Sequence, residues 1–372
     1  MPTGMKLIIS AISLVGLPLL GFLLSGQPIE PLIEFPPVTV TVTHAPFSWP
    51  VFALFSLVTL GLFAGLVFLL FSGTSIPALP TTQHSPTCFP WWGWTSFIAL
   101  LTFWLLAWTR FPWFADFQGF TFTPLWISFI VVLNALSQQR TGQCLLVHQP
   151  RFFLSLFGWS AVFWWYFEYL NRFVQNWRYI GIEPMTALDY GLHSTIAFST
   201  VLPAVWSASH LLGTFSFFSY RTQPYPLGLA QQGKVAWGIA LLSGLCLIGL
   251  PILPNYLFPF LWIAPLLLML GLQMRCGNSF VVSALGEGRW QVITIPASAA
   301  LLCGFFWEMW NFNSAAKWVY TIPFVDRFHL FEMPLLGYAG YLPFGVECVV
   351  AVDFLTNGRQ CFEIMGWSNN RG

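Results

Sequence analysis

Ten apolar runs, near residues 7–25, 51–72, 91–109, 121–138, 152–170, 192–214, 235–252, 256–273, 291–310 and 331–355, constrain this chain more than any motif in it. About 20 apolar residues in a helix cross the hydrocarbon core of a bilayer, and within lipid only helices and closed barrels satisfy their own backbone. The runs predict an all-α fold, a polytopic integral membrane bundle of about ten transmembrane helices. Composition points the same way: 56% of the 372 residues are hydrophobic and 7% charged, where soluble domains run near about 25% charged. The connections are too short for a soluble domain, so any chemistry or binding belongs to the membrane part. A net charge of +1 offers no polybasic patch, and nucleic acid is not expected as a partner.

Lys and Arg placement sets the expected orientation. With the N-terminus inside, Lys6, Arg140, Arg151, Arg221, Lys234, Arg275, Arg289, Arg359 and Arg371 fall on the cytoplasmic side. Arg110, Arg172, Arg178, Lys317 and Arg327 fall outside. This balance predicts both termini in the cytoplasm of a bacterial inner membrane, with the first run read as a helix rather than a cleaved signal peptide. Seven cysteines without a CxxC pair predict no disulfide framework. His44, His84, His148, His193, His210 and His329 are isolated, which argues against a di-iron or haem centre. No metal and no cofactor are expected.

An internal repeat stands out. Leu125-Trp126-Ile127 recurs as Leu261-Trp262-Ile263, and Gln138-x-Arg140-x-Gly142 as Gln273-x-Arg275-x-Gly277. Glu168-x-x-Asn171 then recurs as Glu308-x-x-Asn311, Trp177-x-Tyr179 as Trp318-x-Tyr320, and Leu202-Pro203 as Leu342-Pro343. The expected organisation is two N-terminal helices over 1–90, a first membrane repeat over 91–220, a second over 221–358 and a tail over 359–372. Each unit has about four helices. An even number makes the repeats parallel, related by an axis along the membrane normal.

On a helix, positions i and i+3 share a face, so Glu308 and Asn311 point together, as do Glu168 and Asn171. Such groups avoid lipid and face the bundle interior or a cavity. One expectation is structural: the Asn and Glu satisfy loop backbone or pair with a cation, Arg172 for Glu168 and Lys317 for Glu308. The other is catalytic. The second unit adds Glu332 and Glu347, and Glu347 lies about 22 Å along the helix from Glu332, too far to share a reacting atom. That leaves Glu308 and Glu332 as candidate acids with Asn311 beside them. Trp307, Trp310, Trp318, Tyr320 and Phe331 are candidate substrate-binding faces able to stabilise a carbocation, with Glu168 and Asn171 as the first unit's counterparts.

Trp307-Glu308, the loop Trp318-x-Tyr320-x-x-Pro323 and Glu332-x-Pro334 occur in an order that resembles the lycopene cyclase domain of the heterodimeric or fused carotenoid cyclases. In that family a Trp-acid helix end, an aromatic loop and a Pro-x-Glu-Glu motif follow one another; here the acid precedes the proline. The resemblance implies proton-initiated, non-redox cyclisation or isomerisation of an isoprenoid by a tandem membrane bundle. The Trp-Glu-x-x-Asn and Phe-Glu-Met-Pro-Leu-Leu-Gly-Tyr segments also resemble those of a bacterial membrane family, a likeness that implies no activity. The alternatives are a non-catalytic bundle that binds or passes a membrane lipid or small solute, with Pro203 and Pro343 marking a cavity, and an accessory subunit of a membrane complex.

Overall fold

The computed structural model describes residues 3–37, 43–72, 74–75, 87–182, 185–219, 221–222, 226–228, 233–276 and 279–356. The expected tail 359–372 lies outside them, as does His84. Helices occupy the apolar runs: α1 Thr3–Ser25, α2 Trp49–Ser72, α3 Trp91–Trp108, α4 Phe122–Thr141, α5 Pro150–Val174, α6 Ala187–Phe198, α7 Val201–Gly213, α8 Gly233–Ile252, α9 Phe260–Cys276, α10 Gln291–Phe312 and α11 Tyr341–Thr356. Among the described residues seven spans are long and apolar enough to cross a membrane, or nine if two bent helix pairs each count as one. Pro150–Val174 has the length, at 25 residues, but Glu168, Asn171 and Arg172 crowd its last two turns. The protein is all-α, and α2 is suited to lipid contact: none of its residues is buried, and Leu54, Leu57 and Leu60 are 60%, 69% and 65% exposed. Water does not sustain an apolar face of that extent.

Two predicted helices begin differently from expectation. The run at 192–214 is split into α6 and α7, and the run at 331–355 opens as a hairpin of β3 His329–Leu330 with β4 Met333–Pro334, followed by a 3-10 turn before α11. Pro203 and Pro343 each stand third in the helix that follows. There the missing N–H costs nothing, because first-turn amides have no partner within the helix. Both prolines therefore start a helix rather than kink one. The α6–α7 break frees backbone groups in the dry interior, and one side chain meets them. The Ser160 hydroxyl donates to the carbonyl of Phe198 at 2.6 Å and accepts from the amide of Leu202 at 3.0 Å.

Helix α11 is buried without interruption from Phe344 to Phe354. It approaches α10 so closely that a Cβ on Gly345 would lie 2.0 Å from the carbonyl oxygen of Pro296. Gly21 of α1 meets Ile248 of α8 in the same manner, with 1.9 Å to its carbonyl oxygen. Close backbone contact replaces the hydrophobic drive that lipid cannot supply between helices. Two short strands follow α5 and α10: β1 Trp177–Ile180 pairs antiparallel with β2 Lys317–Tyr320, Trp177 opposite Tyr320 and Tyr179 opposite Trp318. Because backbone rather than a side-chain tip occupies the space at Gly345, Gly345→Val should abolish accumulation of folded protein, whereas Gly16→Val, where a Cβ meets nothing, should be tolerated; size-exclusion profiles in detergent give the comparison.

Candidate functional site

Helices α5 and α10 end with the same hydrogen bonds. Asn171 donates from Nδ2 to the Trp177 carbonyl at 2.8 Å and accepts at Oδ1 from the Asn176 amide at 2.9 Å. Asn311 donates to the Trp318 carbonyl at 2.7 Å and accepts from the Trp318 amide at 2.9 Å. Both side chains are buried, so each polar group they satisfy would otherwise lack a partner. Each asparagine thus folds the chain leaving its helix back onto the helix end and sets the start of a strand.

The carboxyls one turn earlier take their donors from those strands. Glu168 Oε1 accepts from Trp164 Nε1 at 3.1 Å, Trp177 Nε1 at 3.0 Å and the Tyr179 hydroxyl at 2.7 Å. Glu308, 0% exposed, accepts at Oε1 from the hydroxyls of Tyr320 at 2.8 Å and Tyr341 at 2.7 Å. Trp318 Nε1 stands near Glu308 but outside hydrogen-bond geometry, and Glu308 Oε2 has no partner. Burial, and next the Glu168 carboxyl, push the Tyr179 phenol well above its ordinary range; burial and Glu308 do the same to Tyr320. Both hydroxyls therefore keep their protons and remain donors.

Neither carboxyl is hydrogen-bonded to the cation expected from the sequence. Arg172 donates to the backbone carbonyls of Pro31 and Glu34, while Lys317 forms an ion pair with Glu332 and donates to the Phe312 carbonyl at 3.0 Å. A guanidinium or ammonium next to Glu168 or Glu308 would have to leave water, and its desolvation offsets the attraction gained. Indole N–H and phenol O–H groups supply hydrogen bonds at smaller desolvation cost and bury aromatic surface as well.

Side chains alternate across a strand, and one face of the β1–β2 ribbon turns Trp177, Tyr179, Trp318 and Tyr320 into a cavity of about 280 Å³. Exposed Arg178 lies between Trp177 and Tyr179 on the opposite face. Trp262, Trp307, Tyr341 and Phe344 continue the walls inward. Of the sequence-predicted residues, Trp307, Trp318 and Tyr320 line the cavity; Glu308, Asn311, Glu168 and Asn171 stand behind its walls. Trp310 packs instead with Trp126 and Phe129, at ring centroid distances of 5.2 and 5.3 Å. Phe331 is in the left-handed region, with φ 59°, and packs outward on Phe305 and Phe312. Glu332, with a side chain 22% exposed, shares no hydrogen-bond partner with Glu308.

Tyr341, Trp262 and Trp164 are among the wall residues that escaped the sequence reading. Trp262 belongs to the Leu-Trp-Ile landmark and Tyr341 precedes the Leu-Pro landmark, so their proximity to repeated segments was the available signal. Trp262 stacks on Phe167 at 5.1 Å, and Trp126 lies 4.8 Å from Trp307.

Asn311→Ala should cost about 1 to 3 kcal/mol of stability, since it orphans buried backbone groups, with Asn171→Ala comparable. Glu308→Gln keeps an acceptor for both tyrosines and should cost less than Glu308→Ala; thermal unfolding in detergent orders the four variants. The chain matches no protein-family profile, and no curated protein or solved structure is significantly similar to it.

Proposed function

We propose that this protein binds one end of a long apolar chain, an isoprenoid or another membrane lipid, in the aromatic cavity beneath the β1–β2 ribbon. The observation that carries this reading is the cavity itself: about 280 Å³ walled by indole, phenol and phenyl rings inside a bundle with a lipid-facing helix. Ligand pockets are largely apolar with a few polar groups that fix orientation. Phe55, Val58 and Leu62 of α2 form part of the wall, so the cavity borders the most lipid-suited helix. The paired Glu332 and the enclosed Glu308 favour binding over acid chemistry by two converging carboxyls. Glu308 acts here as a positioning residue for Tyr320 and Tyr341.

Proton-initiated cyclisation is the second reading, favoured by one observation. Tyr320 and Tyr341 both line the cavity and both touch Glu308, which forms a hydrogen-bonded route between the carboxyl and the space a double bond would occupy. Surrounding aromatic faces would stabilise the resulting cation.

The finer architecture belongs to the same proposal: ten spans, two parallel repeats about an axis along the membrane normal, and both termini in the cytoplasm of a bacterial inner membrane. Supporting the repeat, Trp177 opposes Tyr320 while Trp318 opposes Tyr179, the exchange of equivalent partners that a two-fold axis requires. Supporting the topology, Arg110 after α3 donates to the Asn313 carbonyl after α10, and the His44 Nε2 contact to the Gln175 carbonyl joins the approach to α2 with the end of α5.

Mass spectrometry of lipid retained by the purified protein should find an isoprenoid or acyl species that Trp262→Ala and Trp307→Ala reduce; its absence from wild-type protein would count against binding. Lipid extracts from deletion, wild-type and Glu308→Gln strains separate the two readings. Binding alone predicts the same lipid species in all three, and catalysis predicts loss of one product in both altered strains. In a cysteine-free background, Asn313→Cys should react with an impermeant thiol reagent from outside and Gly142→Cys only after permeabilisation.

A further inference from the structure

We infer that the ligand of the aromatic cavity is a neutral amphiphile whose polar end is a hydroxyl, received by the side-chain amide of Asn176. The inference rests on the cavity being a binding site and adds the chemistry of the head. Asn176 lines the cavity and is 2% exposed. Its backbone is fully engaged: its amide donates to Asn171 Oδ1 at 2.9 Å, and its carbonyl accepts from the Thr321 amide at 2.9 Å. Its side chain is not. Oδ1 is enclosed without a partner, and among the described residues Nδ2 donates to nothing.

A buried polar group left unsatisfied costs about 1 to 3 kcal/mol, and a leucine would fill an apolar wall without that cost. The Tyr190 hydroxyl, on the same cavity wall and also 2% exposed, stands near the Ser194 side chain but outside hydrogen-bond geometry. Tyr190, His193, Ser194 and Ala197 recur at helical spacing along α6, so one helix face turns both polar and apolar groups to the cavity. These groups make a polar portion within an otherwise aromatic enclosure.

Charge decides what kind of head fits. Among the described residues on the walls, Lys317 is the one Lys, Arg, Asp or Glu, and Glu332 already takes up its ammonium. A phosphate or carboxylate head would compete with that pair, and a cationic head would find no carboxylate on the wall. An amide can turn end for end, presenting either its N–H or its carbonyl. A hydroxyl, both donor and acceptor, suits either orientation, whereas a ketone or ether suits only one. About 280 Å³ holds about nine groups the size of water at about 30 Å³ each, enough for the head and the first isoprene unit of a longer chain.

The test uses the full-length protein in nanodiscs with tritiated farnesol, competed by farnesene, which has no head, and by farnesyl phosphate. Wild type should bind farnesol about ten-fold more tightly than farnesene, the equivalent of about 1.4 kcal/mol. Asn176→Leu should abolish the preference for farnesol over farnesene, and retained farnesene binding by the variant certifies the fold. Tyr190→Phe should give a smaller loss of the same kind. Equal affinity for farnesol and farnesene in wild type, or no effect of Asn176→Leu, overturns the head assignment and leaves apolar binding standing. Tighter binding of farnesyl phosphate than farnesol overturns it in favour of an anionic head at Lys317. Failure of wild type to bind either farnesol or farnesene removes the binding reading together with this inference.

Discussion

A carboxyl buried in an apolar helical bundle must find its hydrogen-bond donors inside the protein, and the architecture at one end of this bundle follows from that requirement. Glu168 and Glu308 find them on the strands that their own helices lead into, and Glu308 finds another on α11. The asparagine one turn later turns the chain so that the donors arrive. Once two such strands exist, one edge of each pairs with the other. The aromatic cavity is the space enclosed below that pairing. Its walls are aromatic because the donors are.

Much of this was legible in the chain. Apolar runs located the helices because the length needed to cross lipid is a strong constraint that neighbours cannot relax. Glu-x-x-Asn and Trp-x-Tyr were readable because residues close in sequence carry those hydrogen bonds. What could not be read depends on contacts distant in sequence. The α6–α7 break is held by Ser160, which lies 38 positions before Phe198. Tyr341 reaches Glu308 across 33 positions. Arg172 and Lys317 were natural guesses as counter-ions by proximity alone, yet backbone carbonyls and Glu332 hold them instead. Nearness along a chain does not include the cost of taking a cation out of water.

The two helix ends share a plan but not a surface. Lys317 stands directly before Trp318 just as Asn176 stands directly before Trp177, and both line the cavity. One is charged and already paired; the other is neutral and unpaired. On the repeat proposed above, this division is open to the chain, since one copy can retain the bonds that hold the fold while the other carries the proposed recognition group. Glu168 and Glu308 differ too: three donors meet Oε1 of the first and two meet Oε1 of the second, whose enclosed Oε2 is unmatched.

Backbone hydrogen bonds stitch the ends of α5 and α10 together, and the paired strands put Trp177, Tyr179, Trp318 and Tyr320 on the cavity wall. The weakest boundary is the flank formed by α2, which is fastened to its neighbours by no buried side chain. For the binding proposed above, that flank would let a molecule dissolved in the bilayer enter sideways without crossing water.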